Sequence, residues 1–268
     1  MVERNIILTD DKLLDAVNRS GFPLQIGLED LVKTHLKDKW NVIYSEHAWK
    51  NLLDSSSGFI DLILEDQYQT SVLVIEAKKV VDTSWIFLVS QDAQLKRRQV
   101  KSWVTAVSRN YFDYADLAAN PSTVESKFCV VDGQDPKSRP MLERLASEAV
   151  SSTEGFSAEE KSLLKDRQVR MYFSVIVTTA ALKVCKTNPN SIAIDTGRLK
   201  ETEFFDVPYL RFRKQLNYNI SVSSSYEHLR TEEIARQKEN TVFVVNSNHL
   251  IDFLHEFEVD DNSLRFLS

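Results

Sequence analysis

The chain has 268 residues, of which 43% are apolar and 27% are charged, and this is enough apolar material for the core of one folded domain. Its net charge of -6 at pH 7 excludes a protein that coats nucleic acid through a uniformly basic surface. Apolar runs such as residues 173–182 are shorter than the roughly 18 residues of a membrane-spanning helix, and residues 1–5 lack the apolar core of a signal peptide.

The two cysteines indicate the compartment. Cys129 and Cys185 lie in strand-like sequence with no histidine cluster nearby, so the sequence predicts neither a disulfide framework nor a zinc site. We therefore expect a cytoplasmic protein with no membrane partner.

The first third of the chain predicts a helix followed by three strands. Apolar side chains recur at helical spacing over residues 24–38, and residues 40–44 read as a strand. A polar loop then leads into a second strand over residues 58–64, and residues 65–69 form a plausible hairpin turn before a third strand over residues 71–79.

The third strand is apolar on both faces and yet ends in charged residues. Side chains alternate along a strand, so Glu76 and Lys78 lie on the same face as Val72 and Val74, while Leu73 lies on the opposite face. A strand covered on both faces is central, and a carboxylate and an ammonium at its end are costly unless a partner compensates them. A divalent cation would be such a partner.

Residues 93–109 predict a second helix with Val100, Trp103, Val104 and Val107 on its core side. This segment has a basic face, which we expect to contact phosphates, although a solvated helix face is the simpler reading. The basic residues are Lys96, Arg97, Arg98 and Lys101.

The second half is predicted to extend the same sheet. Residues 135–167 are charged and serine-rich, and read as an insertion or cap with two short helices, at 141–149 and 158–165. Residues 170–180 are strongly strand-like, with residues 182–185 as their hairpin partner. Further strands are expected in 204–215 and 241–245, and a helix in 249–257.

One elaborated domain over residues 1–268 is the simplest organisation, because no linker, repeat or low-complexity segment interrupts the chain. Its core would be residues 20–110, its insertion residues 135–167, and its sheet extension and C-terminal part residues 168–268.

Two carboxylates could meet at one edge of this sheet. Asp61 and Glu76 are 15 positions apart, which suits neighbouring antiparallel strands. Magnesium takes hard oxygen ligands, commonly one or two carboxylates with water and phosphate oxygens, and the Ala77 carbonyl would be a third ligand from the chain. Lys78 would hold the attacking water and offset the charge that develops on a phosphodiester.

These residues carry a family resemblance. Gly58-Phe59-Ile60-Asp61 followed by Glu76-Ala77-Lys78 resembles the PD-(D/E)xK, or restriction-endonuclease-like, nuclease superfamily, as does the order helix, three strands, helix over residues 20–110. Ile60 stands where many members have proline, a position that varies in the family. Stretches near residues 175–180, 206–213 and 244–250 resemble uncharacterised prokaryotic members.

The resemblance implies an α/β protein with an α/β/α core, a central mixed sheet and a C-terminal elaboration. It further implies supporting roles for Glu29, in the helix before the first strand, and for Gln99, in the helix after the third. From the residues alone, Glu29 reads equally well as a solvated or ion-paired residue, and Gln99 as an amide at the boundary of helix and sheet.

The activity so implied is that of an endonuclease that uses Mg²⁺, or Mn²⁺ in its place, on DNA in prokaryotic defence, restriction or repair. Cutting both strands of a duplex with one site per chain would favour a homodimer or a partner subunit. The alternative is a catalytically silent nucleic-acid- or protein-binding subunit on the same fold.

Overall fold

The computed structural model describes residues 9–51, 55–135, 138, 140–165, 168–216, 238–260 and 262–263. Within these ranges none of the helices combines the length and apolar composition needed to cross a membrane. The helices are α1 Asp10–Arg19, α2 Phe22–His35, α3 Met141–Lys161 and α4 Leu250–Glu256, with short 3-10 turns at Val107–Arg109, Pro189–Ser191 and Ser247–His249.

Most strands belong to one large mixed sheet. Its order is β1-β2-β3-β9-β15-β14-β7, with β5 pairing to β9 and β6, and β16 pairing to β6. Its strands are β1 Trp40–Lys50, β2 Ser57–Asp66, β3 Ser71–Lys78, β5 Arg97–Ala106, β6 Tyr111–Thr123, β7 Glu125–Ser126, β9 Val169–Thr178, β14 Tyr209–Gln215, β15 Glu239–Asn246 and β16 Glu258–Val259. The first three strands are antiparallel, whereas β9 runs parallel to β3 and β15 parallel to β9.

A second sheet packs beside the first. It has the order β13-β10-β4-β8, and a separate hairpin pairs β11 with β12. These strands are β4 Ser84–Ser90, β8 Phe128–Val131, β10 Ala181–Thr187, β11 Ile192–Ala193, β12 Arg198–Leu199 and β13 Glu203–Asp206.

Alternation along the central strands divides the core into two layers. In β9, Phe173 and Val175 join the apolar cluster of α2 and α4, whereas Tyr172 and Ile176 belong to clusters on the face that α3 covers. Because β3 and β9 are buried on both faces, their sequences are almost continuously apolar, as is usual for the centre of a sheet with parallel pairing. The architecture is therefore mixed α/β, with helices on both faces of the large sheet.

The first elements are confirmed. The helix expected over residues 24–38 is α2, and the three strands and the turn over residues 65–69 lie in the expected order. Strand β1 extends to Lys50, beyond the expected residues 40–44, because it pairs with β2 along its length, from Trp40 with Asp66 to Lys50 with Ser57.

The helix predicted over residues 93–109 is wrong. Residues 97–106 form strand β5, which pairs with β6 and, from Trp103 to Ala106, with β9. Val100, Trp103 and Val104 recur at a spacing that fits a helix, but β5 is buried on both faces from Val100 onward, so apolar residues without strict alternation also fit a strand.

The two short helices predicted within residues 135–167 are wrong. A single helix, α3, covers Met141–Lys161 and packs against the sheet. The expected gap between the two helices, residues 150–157, is part of this helix, where Ser152 and Thr153 are buried and donate their hydroxyl groups to the Ala149 carbonyl at 3.0 and 2.7 Å. Such bonds to the preceding turn let hydroxyl side chains lie inside a packed helix face.

The hairpin predicted between residues 170–180 and 182–185 is also wrong. Strand β9 is central in the large sheet, but β10 pairs in parallel with β4 and antiparallel with β13 in the second sheet. The segment 204–215 is divided into β13 and β14, with Pro208 between them, which cannot donate to a ladder. The expected strand at residues 241–245 and helix at residues 249–257 are confirmed as β15 and α4.

Candidate active site

Asp61 and Glu76 lie next to the last described pair of β2 and β3. The described register pairs Ile63 with Val74 and ends at Leu62 with Ile75, so Asp61 and Glu76 are the next residues of the two strands, and their charges interact. The short turn after Asp66 fixes this register locally, so the two carboxylates meet through a hairpin that is contiguous in sequence.

Beyond Leu62 and Ile75 the described backbone pairing of β2 with β3 ends, and the Asp61 carboxylate accepts the next hydrogen bond from a β3 amide. Its Oδ2 accepts a hydrogen bond from the Ala77 amide at 2.6 Å, and its Oδ1 accepts one from Gln25 Nε2 of α2. Burial raises the pKa of Asp61, while these two hydrogen bonds and the nearby Lys78 oppose the rise. The carboxylate is thereby held in one orientation at the end of the hairpin.

Glu76 is the more strongly perturbed carboxyl group. Its pKa is raised to about 8, chiefly by burial and then by the charges of Asp61 and Glu148, while the charge of Lys78 opposes the rise. No described residue donates a hydrogen bond to its carboxyl group. Near neutral pH Glu76 therefore holds a proton unless a cation binds beside it.

Lys78 lies on the same strand face as Glu76. Its charge acts on both carboxyl groups, yet within the described ranges its ammonium group has no ion-pair or hydrogen-bond partner. The neighbouring Lys79 is different, because its Nζ donates to the Asn18 carbonyl of α1. Lys78 is thus available to a substrate or a water molecule.

A groove with a volume of 480 Å³ gives access to Glu76 from the side of α3. Phe59, at its rim, is 63% exposed. The lining includes Trp49, Gly58, Phe59, Glu76, Glu148 and Ser151.

Glu29 lies one helical turn beyond Gln25, but it has other partners. Its carboxylate accepts hydrogen bonds from Lys33 and from the Ser45 hydroxyl, the latter at 2.9 Å, and these two bonds lower its pKa. The structure therefore brings Gln25, and not Glu29, into contact with Asp61. The spacing of four residues between them is the sequence signal that could have pointed to Gln25.

Gln99 and the predicted basic face are dispersed because their segment is a strand. Gln99 has an exposed side chain and pairs with Ala118 of β6. Arg98 lies 3.2 Å from Asp260, and Lys101 is buried, which lowers its pKa. Lys96 is exposed in the loop before β5, and Arg97 is half-buried at its start. The expected continuous helical surface for phosphates is thus absent from this described segment.

Two further carboxylates near the site were not expected from the sequence. Glu46 lies in β1 between Ser45 and His47, which pair with Leu62 and Ile60, and its charge raises the pKa of Asp61 and of Glu76. Glu148 approaches from α3. Even so, no three histidine, cysteine or acidic side chains in the described part of the chain are grouped closely enough to hold a metal without other ligands.

Replacement of Gln25 by alanine is expected to raise the pKa of Asp61 further, because the lost hydrogen bond favours the charged form. A carboxyl ¹³C titration followed by NMR would measure this. Gln67→Ala, at the exposed turn, is the matched control and should leave the Asp61 titration unchanged. An unaltered Asp61 titration in Gln25→Ala would show that the contact has no electrostatic effect.

The fold and these residues define a mixed α/β protein with a charged cluster at one end of a central hairpin. Comparisons with protein-family models, with characterised proteins and with solved structures found no match. The chemistry of the site is therefore inferred from its own side chains.

Proposed function

We propose that this chain is a metal-dependent endonuclease that hydrolyses phosphodiester bonds, with DNA as its first candidate substrate. The observation that carries the proposal is the position of Asp61 beside Glu76 at the end of the β2–β3 hairpin, with Lys78 on the same strand face as Glu76 and without a partner among the described residues. Two carboxylates can hold a divalent cation, and a nearby ammonium can stabilise the charge that develops when a phosphodiester is hydrolysed.

The residues present fit a divalent cation. Each carboxylate oxygen can accept more than one partner, so the bonds from Ala77 and Gln25 leave Asp61 able to bind metal. The N–H and C=O of one strand residue point to the same side, and the Ala77 carbonyl is thereby directed towards Asp61. The half-buried Glu76 accepts no hydrogen bond from a described residue, and a cation would compensate its charge.

When bound, Mg²⁺ or Mn²⁺ would polarise the phosphate and promote ionisation of the attacking water. Asp61 and Glu76 would hold it, with the Ala77 carbonyl as a third ligand. Lys78 would orient the water and stabilise the negative charge that develops on the phosphate oxygens. Gln25 would keep the Asp61 carboxylate ionised and fixed.

The order of elements supports a restriction-endonuclease-like core. The helix α2 precedes the antiparallel strands β1, β2 and β3, and α3 then connects to β9, parallel to β3. In this interpretation α3 is the helix that the resemblance implies after the third strand, and β4 to β8 form the insertion. Ser147, Glu148 and Ser151 of α3 line the groove. Gln99 does not line it, so this interpretation gives Gln99 no role in the site.

One observation favours a second candidate function, a catalytically silent binding subunit. Glu46 and Glu148 add negative charge around Asp61 and Glu76, and the basic residues of β5 are scattered, so without metal the site repels phosphate. Such a subunit would be indifferent to chelators, and a nuclease would not.

Cleavage of supercoiled plasmid, single-stranded DNA and RNA by the purified full-length chain, in Mg²⁺ and in Mn²⁺, tests the proposal. Cleavage that EDTA and Asp61→Asn both abolish is the expected result. If the folded chain cuts none of the three substrates with either metal, the binding subunit becomes the better account.

A further inference from the structure

Helix α1 carries an apolar stripe that the described residues leave uncovered. Leu13, Leu14 and Val17 are 47%, 59% and 55% exposed, and no residue of α1 is buried. On α2, Phe22 and Ile26 lie one turn apart and are 61% and 67% exposed. We call these five side chains the α1–α2 apolar surface.

The length of α1 makes this exposure costly. The helix has 10 residues, and isolated helices shorter than about 12–15 residues are marginal in water. Helices in proteins gain most of their stability by packing an apolar face, and α1 packs none of its side chains into the described core. Exposed apolar surface of this kind marks an interaction site.

Charge around α1 selects the partner. The helix has three aspartates, Asp10, Asp11 and Asp15, against Lys12 and Arg19. This excess of acid opposes docking on phosphates or on an anionic membrane, for which basic residues would flank the apolar stripe. A protein surface is the chemistry that fits.

The two ends of α1 are flanked by opposite charges. Asp10 and Asp11 lie at its first turn, and the Lys79 ammonium binds the Asn18 carbonyl at its last turn. An antiparallel second copy would place the acidic end of each α1 beside Lys79 of the other copy. The opposed helix dipoles would add to this attraction, and both contacts would arise from one two-fold axis.

We propose that the α1–α2 apolar surface is a two-fold interface between two copies of this chain, with the two α1 helices packed antiparallel. Gln25 lies between Phe22 and Ile26 in the sequence of α2 and contacts Asp61, so the interface would adjoin the candidate site. Two sites on one dimer would suit the two strands of a duplex. This last consequence rests on the proposed nuclease function, whereas the interface does not.

The oligomeric state of the full chain tests the interface. Light scattering after gel filtration and sedimentation velocity, both in EDTA and without nucleic acid, should give a dimer for the wild type and a monomer for Leu14→Asp. Ile194→Asp is the matched control, because Ile194 is an 88% exposed apolar residue outside this surface, and it should remain dimeric. A monomeric wild type, or a Leu14→Asp variant that stays dimeric, overturns the proposal.

Charge exchange tests the antiparallel arrangement without introducing charge into the apolar stripe. Asp10→Lys alone should weaken dimerisation by about tenfold or more, and the additional change Lys79→Asp in the same chain should restore it. A double variant no tighter than the single variant overturns the arrangement. Because neither metal nor substrate is present, these results are independent of whether the chain cleaves DNA.

Discussion

Replacement of Lys78 by alanine is expected to lower the rate of Mg²⁺-dependent cleavage by about 10²–10³-fold, the usual cost of removing one positioned donor from a site that stabilises developing charge. The Lys78 ammonium has no partner in the described chain, so the protein loses no ion pair and should fold as before. Single-turnover cleavage at saturating enzyme, with circular dichroism of the same samples, measures both effects.

Lys79→Ala is the matched control for this variant. It removes a neighbouring lysine whose ammonium is bound to the Asn18 carbonyl, so nicking of a single strand, which needs one site and no dimer, should change less than about threefold. Equal losses in the two variants would mean that Lys78 contributes only general positive charge. Cleavage that is unchanged in Lys78→Ala would remove this residue from the mechanism.

Replacement of Glu76 by glutamine is expected to alter the pH dependence of stability. The pKa of Glu76 is about 8 in the folded chain against 4.5 as the ordinary value. Between these values the unfolded chain releases the proton and the folded chain keeps it, so the free energy of unfolding of the wild type falls as the pH rises from about 4.5 to about 8. Glutamine carries no charge at any pH, and this loss of stability disappears.

The magnitude follows from the size of the shift. One unit of pKa corresponds to about 1.4 kcal/mol, and the partial exposure of the groove reduces the full effect. We expect the free energy of unfolding of Glu76→Gln to exceed that of the wild type by about 2–4 kcal/mol near pH 9 and to equal it near pH 4. Urea denaturation in EDTA across this range is the measurement, with the exposed Glu201→Gln as a control that should match the wild type throughout.

Bound metal should reduce this difference in stability between the wild type and Glu76→Gln. A cation beside Glu76 favours the charged carboxylate, so Mg²⁺ or Mn²⁺ should stabilise the wild type near pH 8 and have less effect near pH 5 or on Glu76→Gln. If wild-type stability does not respond to either metal near pH 8, Glu76 is not a metal ligand. The raised pKa would then describe only a buried acid beside other acids.

Local sequence was sufficient for the hairpin that carries the candidate site. Strands β2 and β3 are joined by a short turn, and their apolar residues are nearly continuous, so the meeting of Asp61 with Glu76 could be predicted from the spacing alone. Local periodicity indicated a helix where β5 lies, because the spacing of Val100, Trp103 and Val104 fits a helix and a strand buried on both faces equally well. Pairing with β6, the next strand along the chain, and with β9 in the centre of the sheet decided between them.

The surroundings of the site depended on longer-range contacts. Gln25 is 36 positions from Asp61 in the sequence and contacts it from α2, and Glu148 lines the groove from α3, whose packing against the sheet no local pattern specified. Glu29 lies four residues after Gln25 in α2, but its carboxylate accepts hydrogen bonds from Lys33 and Ser45 instead. Which face of α2 points at Asp61 is set by how α2 packs on β1 to β3.

The sequence by itself determined the mixed α/β character, the central hairpin and its Asp61, Glu76 and Lys78 cluster, because these follow from local periodicity and from a turn of a few residues. Only the tertiary structure decided that α3 is the helix packed behind the site, that β4, β8, β10 and β13 form a second sheet, and that the basic residues of β5 are dispersed. These features depend on pairing between segments far apart in the chain, whose partners no local pattern specifies.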